Sequence, residues 1–222
     1  MSEEQSFTAR VLFAAPHMTL PEVPAGLRVT VHRERVPADV LERAKASAWY
    51  WPEAGEALEK HQSHVELSLE ASEGAPIERA LSLTRATSVI AQSAHAIAVL
   101  WDSTTLVHDA EQWIAQSEDA SSEDLPLFLW LAFDGTETDD GTRSLQTRGL
   151  RDFGGLEVEV ASSRRDGEEV LEIVCDVALL VLTGGAPLED GDQVEVTRGK
   201  IRVRIEPSLR GNGTKAYRLR LP

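Results

Sequence analysis

Hydrophobic and polar positions along the chain fall into short runs with two distinct periods. Phe7 to Ala15 groups Val11, Leu12 and Phe13 and stops at Pro16, which predicts a buried strand. Leu27, Val29 and Val31 then alternate with polar neighbours through His32, the period of a second strand. From Pro37 the period lengthens. Val40, Leu41, Ala44 and Ala48 give one apolar side to a short helix, opened by a proline whose missing N–H is not needed there. Trp49-Tyr50-Trp51 follows and is stopped by Pro52. Val65 to Ala71 predicts a strand, and Pro76 opens a long helix to Ser93 with Ile77, Leu81, Thr84, Ser88 and Ala91 as its stripe.

Further on, Ala96 to Trp101 is almost continuously apolar, as a central strand is. Asp109 is placed to cap a short helix carrying Ala110, Trp113 and Ile114. Ser117 to Asp124 is polar and predicts a loop, Leu127 to Phe133 another apolar strand, and Asp134 to Thr142 an acidic, turn-rich loop. Leu156, Val158 and Val160 alternate as a strand. Glu168 to Leu182 has the strongest helical spacing, with Gly184 as a left-handed cap. Gln193–Thr197, Lys200–Ile205 and Ala216–Leu221 read as strands, and Gly211-Asn212-Gly213 turns the last two into a hairpin.

These elements predict an α+β protein: a mixed, mostly antiparallel sheet with packed helices, in one globular domain over 1–222. An echo runs through it. Strand 65–71, helix 76–93 and strand 96–101 parallel strand 156–160, helix 168–182 and strand 193–197. The echo implies two related α/β halves meeting near 117–125.

The segment Thr147-Arg148-Gly149-Leu150-Arg151-Asp152-Phe153-Gly154-Gly155-Leu156-Glu157 has the form Thr-x-Gly-Leu-x-x-Phe-Gly-x-x-Glu. The helix 168–182 is followed by Leu188-Glu189-Asp190-Gly191-Asp192, and upstream lies Ala96-Ile97-Ala98-Val99-Leu100-Trp101. In these features the chain resembles a bacterial family of domains of unknown function, number four-two-six-one in its series. Where that family continues past Asp-Gly-Asp with Thr, this chain has Gln193-Val194-Glu195-Val196. The resemblance implies a single bacterial domain and carries no activity with it. Thr147, Gly149, Phe153 and Gly154 are its marked residues, with Phe153 expected in the core.

Charge adds a second layer. The formal net charge is -15, which repels phosphate backbones and makes nucleic acid a poor partner. Between Arg85 and Arg143 there is no Lys or Arg, yet the stretch holds eleven carboxylates. After Val194 the balance reverses, with Arg198, Lys200, Arg202, Arg204, Arg210, Lys215, Arg218 and Arg220 against Glu195 and Glu206. No apolar run approaches the roughly 20 residues of a membrane span. The acidic opening Met1-Ser2-Glu3-Glu4-Gln5 and the single Cys175 point to the cytoplasm rather than to export.

The chain shows no motif that dictates a reaction, and no catalytic residue, cofactor or metal is assigned. His61-x-x-His64, with His95 and His108 elsewhere, lacks the partners of a metal centre. Thr183-Gly184-Gly185 follows a helix, whereas phosphates favour the start of one. Cys175 sits on an apolar helix and reads as a buried, inert thiol, with its neighbour Asp176 facing out or binding a backbone group. Asp102, Asp139 and Asp140 read as solvated loop carboxylates. The expected function is that of a non-enzymatic interaction protein, a toxin-immunity or regulatory protein, binding a basic partner through Glu118, Asp119, Glu123, Asp124, Asp139 and Asp140, with Trp49 and Trp51 as further contacts. The alternative is a small-molecule binder or enzyme with a pocket near Trp49 and Trp51.

Overall fold

In the computed structural model the described residues are 6–16, 20–21, 26–69 and 74–221. The chain divides into two compact units, 1–130 and 131–222.

The first unit contains β1 (Phe7–Phe13), β2 (Arg28–His32), α1 (Ala38–Ser47), α2 (Ala54–Lys60), β3 (Ser63–Leu69), α3 (Pro76–Ser93), β4 (Ala98–Trp101), β5 (Leu106–Asp109), α4 (Ala110–Glu118) and the single-turn α5 (Leu127–Trp130). Its sheet runs β2-β3-β1-β4-β5, and each neighbouring pair is antiparallel. Strand alternation divides the core between the faces of this sheet. Phe7, Ala9, Val11 and Phe13 of β1 are buried on the face that meets α3. Leu12 points the other way, into a cluster with Leu41, Ala44 and Leu58 of α1 and α2 and Ala98, Leu100 and Val107 of β4 and β5. Pro76 begins α3 as expected, and Asp109 caps α4 by accepting from the amides of Glu111 and Gln112. The expected strand at 65–71 is described only to Leu69; Ala71 lies outside the described residues.

The second unit contains β6 (Ala132–Glu137), β7 (Arg143–Arg148), a 3-10 turn (Leu150–Phe153), β8 (Glu157–Ser163), α6 (Gly167–Thr183), β9 (Gln193–Val196), β10 (Gly199–Pro207) and β11 (Lys215–Leu219). The sheet order is β6-β7-β8-β11-β10-β9. The β8–β11 pair is parallel; the others are antiparallel. Val158 and Val160 of β8 and Tyr217 and Leu219 of β11 are buried on one face. The apolar stripe of α6, through Val170, Ile173, Val174 and Val177, supplies the same core. Both units mix helices with mostly antiparallel sheet, so the chain is α+β.

Three expectations are corrected. Residues 127–133 are not one strand: Leu127–Trp130 is a helical turn and β6 starts at Ala132. A short apolar run fits a buried helix as well as a strand, and here Trp130 turns inward to donate its indole N–H to Thr84 Oγ1 at 2.9 Å. The expected loop 134–142 is largely the β6–β7 hairpin, because polar Asp134-Gly135-Thr136-Glu137 pairs with Arg143–Gln146. Gly184 closes α6 in right-handed geometry (φ -70°), and Gly185 takes the left-handed position (φ 69°).

Candidate interaction surface

The aromatic triplet divides three ways. Tyr50 is pinned by its hydroxyl to the Val107 carbonyl at 2.8 Å, and its ring stacks on buried His108 at 5.6 Å. Trp49 packs edge-on against Tyr50 and is 71% exposed. Trp51 is partly buried and, with Ile97, packs against the core cluster beneath α1 and α2. Trp51 and Ile97 also line an open groove of about 520 Å³, to which Trp49 does not contribute. Its polar lining is acidic: Glu53, Glu56, Asp109 and Glu111, against one ammonium, Lys60. Lys60 is already held by Glu56 at 2.6 Å, and that contact lowers the Glu56 pKa. The groove was missed in the sequence in part because α2, which carries Glu56, was not foreseen. Its run Ala54-Gly55-Glu56-Ala57-Leu58 has too few apolar positions to show a period.

The expected contact residues fall into separate groups. Glu118 ends α4, Asp119 follows it, and Glu123 and Asp124 lie in a turn held by Ser121, whose hydroxyl accepts from both of their amides. All four are exposed. Phe128, four residues past Asp124, is 49% exposed. Asp139 and Asp140 belong to the second unit, in the β6–β7 turn. Asp140 accepts from the Thr138 hydroxyl and the Thr142 amide, which hold its carboxyl below the usual range. It organises its own hairpin.

Arginines elsewhere are already engaged. Arg10 joins Glu66 at 3.0 Å and Asp102 at 2.9 Å. Asp102 is therefore a member of a partly buried ion-pair cluster, not a solvated loop carboxylate. Burial pushes its pKa up to about 7, against the pull of Arg10 and with a smaller push from Glu66. In the second unit Arg198 meets Glu169 and Glu172, Arg204 meets Asp190, Arg210 meets Asp134, and Arg220 meets Glu206. Arg218 reaches buried Glu159 at 2.9 Å. The basic end of the sequence is thus largely neutralised by carboxylates of its own unit. By contrast, Glu118, Asp119, Glu123 and Asp124 have no ion-pair partner among the described residues.

The histidines are built into the fold. The Nδ1 of His61 faces the Leu58 carbonyl at 2.7 Å, and its Nε2 accepts from the Val36 amide at 3.0 Å. His64 stacks on His32 with centroids 4.4 Å apart, and burial brings its pKa down to about 4. His108 is likewise brought down to about 4 by burial. No group of three or more His, Cys, Asp or Glu able to hold a metal occurs among the described residues. Cys175 is half-buried rather than fully enclosed, because it sits at the edge of the α6 stripe. Burial, helped by Asp176, pushes its pKa up to about 12, so the thiolate is suppressed. Asp176 itself accepts from the Thr197 amide at 2.7 Å.

The segment 147–157 forms a clamp around one carboxylate. Glu157 is 6% exposed. It accepts from the Thr147 hydroxyl at 2.7 Å and the Gly149 amide at 3.0 Å, with longer contacts to the amides of Leu150 and Arg151. Thr147 Oγ1 in turn accepts from the Val158 amide at 2.8 Å. Gly149 and Gly154 both have positive φ, 123° and 85°, and a Cβ on Gly155 would collide with Val181 of α6. Leu150, not Phe153, is the fully buried residue of this turn. With φ positive on both sides of the turn, its first residue is driven under the sheet while Phe153 remains half-buried.

By its fold the chain is an α+β protein whose exposed carboxylates form its candidate interaction surface. Residues 146–215 match the model of the family described as Domain of unknown function (DUF4261). That span includes the clamp, β8, α6, β9 and β10, and the strand around Ala98–Trp101 lies outside it. No match is found among curated proteins or among solved structures. Among the described residues, no helix is long and apolar enough to cross a membrane.

Proposed function

We propose that this chain is a cytoplasmic, non-enzymatic interaction protein that binds a basic protein partner through the acidic end of α4 and the loop after it. A toxin-immunity or regulatory role is the form that suits such a surface. The supporting observation is the contrast in charge pairing. Arginines across both units meet carboxylates, while Glu118, Asp119, Glu123 and Asp124 stand exposed and make no ion pair among the described residues, although Arg85 reaches the Ala120 carbonyl between them at 2.9 Å. Unpaired like charges repel one another, so stability alone gives no reason to gather them. Phe128, four residues on in the chain, is half exposed and adds apolar surface of the kind that interfaces favour at their centres.

The test is an association-rate measurement with a basic protein partner taken from the native host. A variant with Glu118→Gln, Asp119→Asn, Glu123→Gln and Asp124→Asn should bind about tenfold more slowly at low salt, and the wild-type rate should fall as salt rises. The thermal midpoint should hardly move, because exposed substitutions of this kind change stability by about 0.5 kcal/mol or less. An unchanged association rate sinks the proposal. Asp139 and Asp140 are left intact in the variant because Asp140 holds its own turn.

A further inference from the structure

We infer that the groove beside Trp51 receives an arginine or lysine side chain of the partner, next to the acidic end of α4. This rests on the proposal that the partner is a basic protein. Three observations meet here. The groove has a rigid aromatic wall, since Trp51 and Ile97 are held from behind by the core cluster. The Trp51 amide donates to the Ala48 carbonyl at 3.0 Å, and its own carbonyl accepts from the Ala54 amide at 3.0 Å, so the backbone on both sides of the indole is tied down. The rim carries Glu53, Glu56, Asp109 and Glu111 against the one cation Lys60.

An aromatic face bounded by carboxylates suits a cation with an apolar stem. The ring face attracts the charge, the carboxylates neutralise it, and the methylenes lie along Trp51 and Ile97. An anionic ligand would face four carboxylates, and a neutral apolar one would leave them desolvated. Asp109 already caps α4 with one carboxylate oxygen, which fixes that part of the rim before any ligand arrives.

The groove and the acidic end of α4 also share a side. Glu111 of the groove and Glu118 are both exposed on α4. A seven-residue separation is close to two full turns, so both project from the same face, roughly 10 Å apart along the axis. An extended polypeptide covers that distance in about three residues. The partner segment should therefore carry basic residues about three apart, one in the groove and one over Glu118.

The test uses the full chain labelled with nitrogen-15 and a short synthetic peptide bearing two arginines three residues apart. The control replaces both arginines with neutral citrulline. The arginine peptide should shift the Trp51 indole N–H and the Ile97 and Glu111 amides, and the citrulline peptide should not. The Glu53→Gln/Glu111→Gln variant should bind the arginine peptide about fivefold more weakly, the size carried by two partly screened ion pairs. Trp51→Leu should also weaken binding. Because Trp51 touches the core, the glutamine variant, with its thermal midpoint unchanged, is the deciding one. Arginine-dependent shifts confined to 118–124 would overturn the groove assignment and leave the basic-partner proposal standing. Equal shifts with citrulline would overturn the groove assignment as well. No arginine-dependent shift at any residue would overturn both.

Discussion

Asp102 shows how far a single residue can depart from its sequence context. It lies among unpaired acidic residues in the sequence, yet it is mostly buried and held by Arg10 at 2.9 Å. Its pKa is raised from 3.8 to about 7, chiefly by burial. A carboxyl with a raised folded pKa holds its proton more tightly when folded. Its stabilising contribution is therefore complete below the unfolded value and is lost as pH rises through about 7. His64 and His108 run the other way. Their folded pKa values are depressed to about 4, so their contribution is present above the unfolded value of 6.5 and disappears as pH falls. The two effects oppose each other between pH 4 and 7. Asp102→Asn removes one of them, so its unfolding free energy should fall more steeply with acid over that window than the wild type's. The difference should amount to about 3 kcal/mol across the window. Denaturant titrations at pH 4.5, 5.5 and 6.5 measure it, and parallel curves for the two proteins would refute it. Nothing in the sequence shows this behaviour, since it comes chiefly from burial imposed by the fold, with Arg10 and Glu66 from two other strands pulling in opposite directions.

At the scale of elements, helices were easier to read than the connections between strands. The long helices α3 and α6 emerge from their stripes, and the Asp109 cap is where its side-chain chemistry places it. The hairpin β6–β7 was hidden because Asp134, Gly135, Thr136 and Glu137 are polar, and strand pairing there comes from backbone hydrogen bonds rather than an apolar face. β8 misleads in the opposite sense. The alternation Glu157-Val158-Glu159-Val160 reads as half exposed, yet all four residues are buried. Glu159 is enclosed by Arg218, the Ser208 hydroxyl and the Leu209 amide, and Glu157 by the 147–151 clamp. The Thr-x-Gly-Leu pattern was visible, but not the carboxylate it encircles. Thr147→Val keeps the shape of the side chain while removing a donor to Glu157 and the acceptor of the Val158 amide. Leaving the Val158 amide unsatisfied and Glu157 short of one donor should cost about 2–3 kcal/mol. A lower urea midpoint with an unchanged slope would show it. Thr147→Ser keeps the hydroxyl and should recover most of the loss.

Across the whole molecule, the strand–helix–strand echo exists as an order of elements but not as a shared sheet. β3 and β4 both flank β1, whereas β8 and β9 are separated by β11 and β10. Sequence spacing shows which elements follow one another; neighbourhood within a sheet depends on pairings across long separations, such as Glu159 with Arg218. The charge pattern was legible in its acidic half and less so in its basic half. Arg198, Arg204, Arg210, Arg218 and Arg220 look like a cationic face along the sequence, but each finds a carboxylate in its own unit.

The parallel pairing of β8 with β11 also sets an order of events in time. β11 follows every other strand of its unit in sequence, yet it lies between β8 and β10 in the middle of the sheet. A nascent second unit therefore has all its helix and most of its strands before the strand that joins them. Until Lys215–Leu219 arrives, β8 and β10 each expose an open edge, the kind that pairs with other chains. The first unit has no such wait, because all its strands precede Ala110. Synthesis from the N-terminus should thus give a first unit that folds early and a second that closes late and all at once. Chains halted after Gly213 should show a protease-resistant first unit and a protease-sensitive second one, and should aggregate through the unclosed sheet. Protection of the second unit in such chains would mean that β7–β8 and β9–β10 can hold together without their central strand.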